Sequence, residues 1–323
     1  MRRRDFITII GGAAVAWPLA ALAQERGRTY RLGCLLASPR DNPVNMVLFD
    51  ELRRRGFIDG QNLAIQYRAY GLHSDLIWQY AAELIEARVD VIVTSGEGTV
   101  PIVQEATKTI PIVAIVADML GSGLVNSLAR PNGNITGVSI LADEADGKRQ
   151  DLLIEAVPGI RLMAVLTDVN VTKKAKLEAL QEASRVHNVE FSIYRVADSK
   201  EIAAAIDSAQ ASGATALNIL ASPLFYGNRH LIMDHVAAAH LPTMYEFAES
   251  AEEGGFAAYG PRISQLFLQM AGQVVQLFSG AKIADIPVVQ ATKFELVVNL
   301  KTANAMGVTV PAAFVARADK VIE

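Results

Sequence analysis

Short runs of aliphatic and β-branched residues alternate with amphipathic stretches along this chain at a spacing of about 25 residues, and the alternation starts twice. Runs of this kind suit strands buried inside a parallel sheet, because only helices packed on both faces hide both sides of a strand. The first series predicts strands at 30–37, 63–67, 89–94 and 110–116, with helices at 45–55, 75–87 and 100–108. The second predicts strands at 161–167, 189–196, 216–221 and 242–245, with helices at 173–186, 201–212 and 224–240. Two wound α/β units imply two lobes. Ligands of such sheets bind outside the carboxyl ends of the strands, so two facing lobes create a cleft.

The joints are readable as well. Pro131-Asn132-Gly133-Asn134 is turn-rich and leads into a strand, as does Gly254-Gly255. A long helix at 263–279 ends at Gly280, and a short segment at 287–290, a strand at 294–300 and a final helix near 312–322 complete the chain. The expected division is 28–137 plus 259–286 for lobe I and 138–258 plus 287–323 for lobe II. Three crossings between them would form a hinge able to close over a ligand.

At 323 residues the chain is long enough for two cores, and 51% apolar with 20% charged residues describes a folded protein. The single cysteine, Cys34, excludes an internal disulfide and sits in an apolar run as a small hydrophobe. Arg26, Arg28 and Arg31 separate it from the leader, which argues against a lipid attachment site.

That leader runs from Met1-Arg2-Arg3-Arg4-Asp5-Phe6-Ile7 through a glycine- and alanine-rich stretch to Ala21-Leu22-Ala23-Gln24. A charged start, an apolar middle and an A-x-A end mark an export signal over 1–23, with cleavage after Ala23. Arg3 and Arg4 ahead of Phe6 also look like a twin-arginine signature. Trp17-Pro18 and the glycines leave the segment too weakly apolar for a stable membrane span. The expected location is therefore the periplasm. Removing this segment takes three arginines and Asp5 with it and changes the net charge from −4 to −6, so nucleic acid is not an expected partner.

The run Val89-Asp90-Val91-Ile92-Val93-Thr94 leads directly into Ser95-Gly96-Glu97-Gly98-Thr99. A buried strand feeding a glycine loop that opens a helix presents unpaired amides and the positive end of the helix dipole, an arrangement suited to an anion. The same residues also describe a tight turn with a capping threonine. Strand ends and the loops after them supply the other candidates: Ser38 and Asp118 from the first lobe, and Asp168, Ser222, Phe225, Tyr245 and Glu246 from the second. Ser95, Gly96 and Thr99 would hold a carboxylate, while Asp118, Asp168 or Glu246 would receive an ammonium group. Phe225 and Tyr245 would cover an apolar or aromatic side chain. Turn roles for Ser38 and Ser222, each followed by proline, and capping roles for the aspartates stay open.

No catalytic constellation accompanies them. Gly96-x-Gly98 lacks the third glycine of a dinucleotide fingerprint, with Pro101 in its place, and no G-x-S-x-G, Walker or H-E-x-x-H motif occurs. His230, His235 and His240 recur every five residues and cannot share a helix face as metal ligands. No enzyme activity, cofactor or metal is expected.

Four segments resemble a known family: Arg3-Arg4-Asp5-Phe6-Ile7, the stretch 130–139, Tyr245-Glu246-Phe247, and the closing stretch 292–303. They are similar to the substrate-binding proteins of ABC transporters related to tryptophan-binding components, over essentially the whole chain. The resemblance implies a type I periplasmic-binding-protein fold, with two Rossmann-like lobes that close on a small solute. It also implies delivery to an ABC permease with its ATPase, by a monomer. Two places depart from the family pattern. Asp168-Val169-Asn170 stands where Asn-Pro-Asn is common, and Ala117-Asp118-Met119 stands where Gly-Asp-Pro is. The expected function is capture of a small carboxylate-bearing solute, an amino acid or aromatic acid. A ligand-sensing module for a membrane receptor is the alternative.

Overall fold

The computed structural model describes residues 27–323 apart from residue 72. The export-signal residues Arg3, Arg4, Phe6, Ala21 and Ala23 lie outside the described residues.

The first series folds as β1 (Tyr30–Leu36), α1 (Pro43–Arg54), β2 (Leu63–Ala69), α2 (Ile77–Glu86), β3 (Val91–Ser95), α3 (Thr99–Ala106), β4 (Ile112–Val116) and β5 (Ile135–Ser139). Val91, Ile92 and Val93 are at most 1% exposed, which places β3 inside the sheet as its composition requires. Helix α1 begins where its sequence supplies a start: Asn42 accepts the Val44 amide at 3.1 Å, and Pro43 takes the first helical position.

The second series is α4 (Ala142–Ala156), β6 (Leu162–Asp168), α5 (Lys174–Val186), β7 (Glu190–Val196), α6 (Lys200–Ala211), β8 (Ala216–Ile219), α7 (Pro223–Gly227), α8 (Arg229–Ala238), β9 (Thr243–Tyr245), α9 (Ala248–Glu252) and β10 (Ala257–Gly260). The chain then returns through α10 (Ile263–Phe278) and β11 (Val289–Gln290) and ends in β12 (Glu295–Asn299), α11 (Leu300–Ala305), α12 (Ala312–Val315) and β13 (Lys320–Ile322).

These strands build two sheets, ordered β11-β5-β4-β3-β1-β2 and β13-β12-β10-β9-β8-β6-β7. The first is parallel throughout. In the second, β12 runs antiparallel to β10 and carries β13 parallel to itself. The chain passes between the sheets three times, after β5, after β10 and after β11. Helix α10 returns to the first lobe and buries Leu266, Phe267, Met270 and Val274 against its core. Gln273, 4% exposed on α10, donates to Gly137 O at 3.0 Å and Pro287 O at 3.1 Å, which holds β11 against β5.

The crossings are tied to one another. Arg262 donates to Glu295 at 2.7 Å and Glu252 at 2.9 Å, and Tyr259 stacks on Phe294 with ring centroids 5.7 Å apart. Glu249 of the second lobe accepts the amides of Ile263 and Ser264, each at 3.2 Å, and so caps α10 of the first.

Three expectations change. The helix expected at 224–240 is two helices, α7 and α8, broken around Asn228. The final helix near 312–322 is one turn, α12, followed by a strand, because residues 320–322 find a partner in β12. Helices α4, α9 and α11 go beyond the sequence expectation. We place the lobe borders at the sheet edges, a few residues along from 137/138, 258/259 and 286/287: β5 and β11 both belong to the first sheet and all of β10 to the second.

Candidate functional site

The carboxyl ends of the two sheets meet. Ala221, Tyr226 and Phe247, which follow β8 and β9, pack into the apolar cluster of the first lobe beside Ala117. At Gly96 (φ +92°) a Cβ would come 2.8 Å from Cγ of Pro223 across the cleft. Gly96 therefore serves the close approach of the lobes as well as the turn. Gly96→Ala is expected to hold the lobes apart, at a cost of about 1 kcal/mol for the left-handed backbone alone. Small-angle scattering should give a larger radius of gyration than the wild type, and an unchanged radius would mean that the loop yields instead.

The glycine loop offers fewer free amides than a bare helix start. The Gly96 amide donates to Ile115 O at 2.9 Å, and the Thr99 amide to Gly96 O at 3.2 Å. Thr99 opens α3 as its first residue and is 3% exposed; its hydroxyl bonds the Tyr70 hydroxyl at 3.1 Å. Tyr70 itself is buried, and burial raises its phenol pKa. Ser95 lies half-buried at the end of β3.

Ser38 and Asp118 serve local structure. The Ser38 hydroxyl accepts the Asn45 amide at 2.9 Å, and its carbonyl accepts the Tyr67 hydroxyl at 2.7 Å. Asp118 accepts the amides of Leu120 at 3.1 Å and Gly121 at 2.9 Å, an Asx turn.

In the second lobe, Asp168 and Ser222 are each 3% exposed and bonded to one another at 2.6 Å, joining the ends of β6 and β8. The other Asp168 oxygen accepts both nitrogens of Asn170, at 2.9 and 3.0 Å, so its carboxylate is fully engaged. Ser222 also accepts the Leu224 amide at 3.0 Å as the N-cap of α7, with Pro223 next.

Phe225, Tyr245 and Glu246 come together around a small cavity of about 20 Å³ at the ends of β8 and β9. Tyr226 and Phe247 share its wall as an edge-to-face pair with centroids 5.0 Å apart. Arg229 lies 4.6 Å from the Tyr226 ring centre and grips Glu253 through two nitrogens, at 2.5 and 3.2 Å, which fixes the ring in place.

Behind Glu246 stands a charge cluster that the sequence reading did not contain. Arg149 and Asp146, both 0% exposed on α4, are bonded to each other. Arg149 also donates to Tyr259 O at 3.2 Å, Ala221 N donates to Asp146 at 3.2 Å, and Lys176 of α5 pairs with the other Asp146 oxygen. Burial pushes the Glu246 carboxyl up to about 7. Asp146 adds to that rise, while Arg149 and Lys176 oppose it. An i, i+3 charged pair in the polar run 142–151 reads in sequence as a solvated helix face. No local signal separates it from one.

Among the described residues no group of His, Cys, Asp and Glu is placed to hold a metal ion. Nor is any helix among them long and apolar enough to cross a membrane.

The comparisons agree with this geometry. The sequence profile of the family described as "ABC transporter substrate binding protein" matches residues 44–322. A tyrosine-binding protein of Clostridioides difficile is 23% identical over 287 residues, spanning 87% of this chain and 81% of that one. Among solved structures, a conserved domain protein of Vibrio cholerae superposes with a TM-score of 0.81 at 24% identity. An ABC domain of Streptococcus pneumoniae in complex with L-Trp superposes with a TM-score of 0.78 at 22% identity. Both cover 91% of this chain and 100% of theirs. An ABC transporter solute binding protein of Agrobacterium vitis with bound allitol has the same fold at a TM-score of 0.60.

Proposed function

The chain belongs to the ABC transporter substrate binding protein family, and from that premise we propose that it is the periplasmic solute receptor of an ABC importer. In this reading it closes its lobes on an aromatic amino acid and hands it to a membrane permease served by an ATPase, without covalent chemistry. The family is a solute-binding one, and no catalytic role is assigned to any residue here.

The observation that carries the choice of solute is the aromatic cluster at the ends of β8 and β9, where Phe225, Tyr226 and Phe247 gather with Glu246 around a small cavity. Apolar and aromatic side chains with a few placed polar groups are the usual lining of a small-molecule site. The aromatic walls suit a ring, and Glu246 suits an α-ammonium group. Of the first-lobe candidates, Ser95 would receive the carboxylate, since the Thr99 hydroxyl is already bonded to Tyr70 and Asp118 is held in its turn. Asp168 and Ser222 would brace the strand ends instead of touching the solute. Relatives named for tyrosine binding and crystallised with L-Trp support the same solute class.

The test is a thermal-shift and calorimetric screen of the chain lacking residues 1–23 against the amino acids and aromatic acids. A true solute at 100 times its Kd should add about 2.7 kcal/mol of stability. A flat response to every amino acid and aromatic acid would refute the reading.

A further inference from the structure

We propose that Gly260 and Arg149 couple the solute held at Glu246 to the movement of the lobes, by seating the tip of β9 on the second crossing of the hinge. This rests on the reading above that Glu246 receives the ammonium group of the solute, and it names the residues that turn binding into closure.

Strands β9 and β10 run parallel with Tyr245 beside Ala258, so Glu246 leaves β9 just where β10 ends and the chain crosses back to the first lobe. A Cβ at Gly260 would overlap the Glu246 carbonyl oxygen and lie 3.9 Å from an Arg149 nitrogen. That oxygen is backbone, which cannot swing aside as the end of a side chain can. Glycine is what lets the tip of β9 rest on the crossing.

The same spot is held from α4. Arg149, 0% exposed, donates to Tyr259 O at 3.2 Å and bonds Asp146, which accepts the Ala221 amide at the tip of β8. One guanidinium therefore grips the crossing strand and, through Asp146, the wall of the cleft.

Beyond Gly260 the chain is tied down as far as the first lobe. Gly260 pairs with Glu295 of β12, Arg262 bonds both Glu295 and Glu252, and Glu249 accepts the first amides of α10. The apolar face of α10 lies in the first-lobe core. A shift of Glu246 toward a solute is thus passed along contiguous packed contacts to the other lobe.

The test combines calorimetric titration of the chain lacking residues 1–23 with L-tryptophan and L-tyrosine and small-angle scattering with and without saturating amino acid. The wild type is expected to contract on binding. Gly260→Ala should bind at least about tenfold more weakly, since apparent affinity falls with the fraction of molecules able to close, and should keep its unliganded radius when saturated. Arg149→Lys keeps a cation beside Asp146 but gives up the planar fork that also reaches Tyr259 O, and should contract less than the wild type. A merely structural role would lower the melting temperature of both variants and leave the contraction as it is. Gly260→Ala contracting like the wild type would overturn the coupling and leave the solute class intact. So would amide exchange in the wild type that slows around Glu246 on binding but not over residues 259–264, a measurement that decides the matter where a variant is unstable. Binding of neither amino acid would overturn the coupling together with the reading it rests on.

Discussion

Replacing Asp146 by alanine is expected to cost the fold about 3–5 kcal/mol, the usual penalty for leaving one member of a buried ion pair behind. Its partner Arg149 is 0% exposed, and without Asp146 its guanidinium keeps the Tyr259 carbonyl at 3.2 Å as its remaining bonded acceptor. Lys176 loses its pairing with Asp146 at the same time, and the Ala221 amide loses its acceptor. Lys176, with a side chain 14% exposed, can reach water, whereas Arg149 cannot, so the guanidinium carries most of the cost. Urea unfolding of the variant should show the loss, and amide exchange should place it around α4 and the ends of β8 and β10. Replacing both partners with apolar residues, Asp146→Leu with Arg149→Met, should recover most of it, because the guanidinium that cannot reach water is then gone. A single variant within about 1 kcal/mol of the wild type would show that water reaches the pair and that it behaves as a surface bridge.

The same pair shows where sequence reading stops. A strand such as β3 is legible because its burial is written in consecutive aliphatic residues, and α10 because Leu266, Phe267, Met270 and Val274 fall on one helical face. Helix α4 turns Asp146, Arg149 and Gln150 inward, so its composition contradicts its burial. Charge reads as solvent unless the partner is known, and Lys176 lies on a different helix. The strand at Lys320–Ile322 was missed for a related reason: its cause is pairing with β12, a contact made at a distance along the chain.

The site follows that division. The rule that ligands meet strand ends led to Phe225, Tyr245 and Glu246, which the fold gathers around one pocket. It led equally to Asp168 and Ser222, which bond each other across 54 residues of sequence, and to Thr99, taken up by Tyr70. Position at a strand tip is local information. Whether a polar group is still available there is not. Tyr226 and Arg229 were passed over because the stretch 224–240 read as one continuous helix, which hides the turn that aims Tyr226 at Phe247.

Solute affinity is expected to fall as the medium is acidified through about pH 7, approaching tenfold per unit below it, if Glu246 receives the ammonium group. The charged groups that bear on it are Asp146 and Arg149 from α4 and Lys176 from α5, with Tyr226 of α7 also in electrostatic reach. Burial outweighs the two cations, and the carboxyl titrates near 7 instead of 4.5. A cationic solute favours the ionised form, so below that value binding must first expel a proton, while the ammonium itself stays charged throughout. Stability of the empty protein has the opposite slope. Unfolding returns Glu246 to its ordinary pKa near 4.5, so its contribution is complete below that pH and is lost as pH rises through about 7. Glu246→Gln should therefore flatten both profiles: at pH 8 the empty variant should be more stable than the wild type, by about 2 kcal/mol after allowance for screening, and its residual affinity should no longer depend on pH. Titrations in buffers of different ionisation enthalpy should detect the proton released on binding at pH 6. Affinity that stays level from pH 5 to 8, with no proton released, would remove Glu246 as the ammonium acceptor.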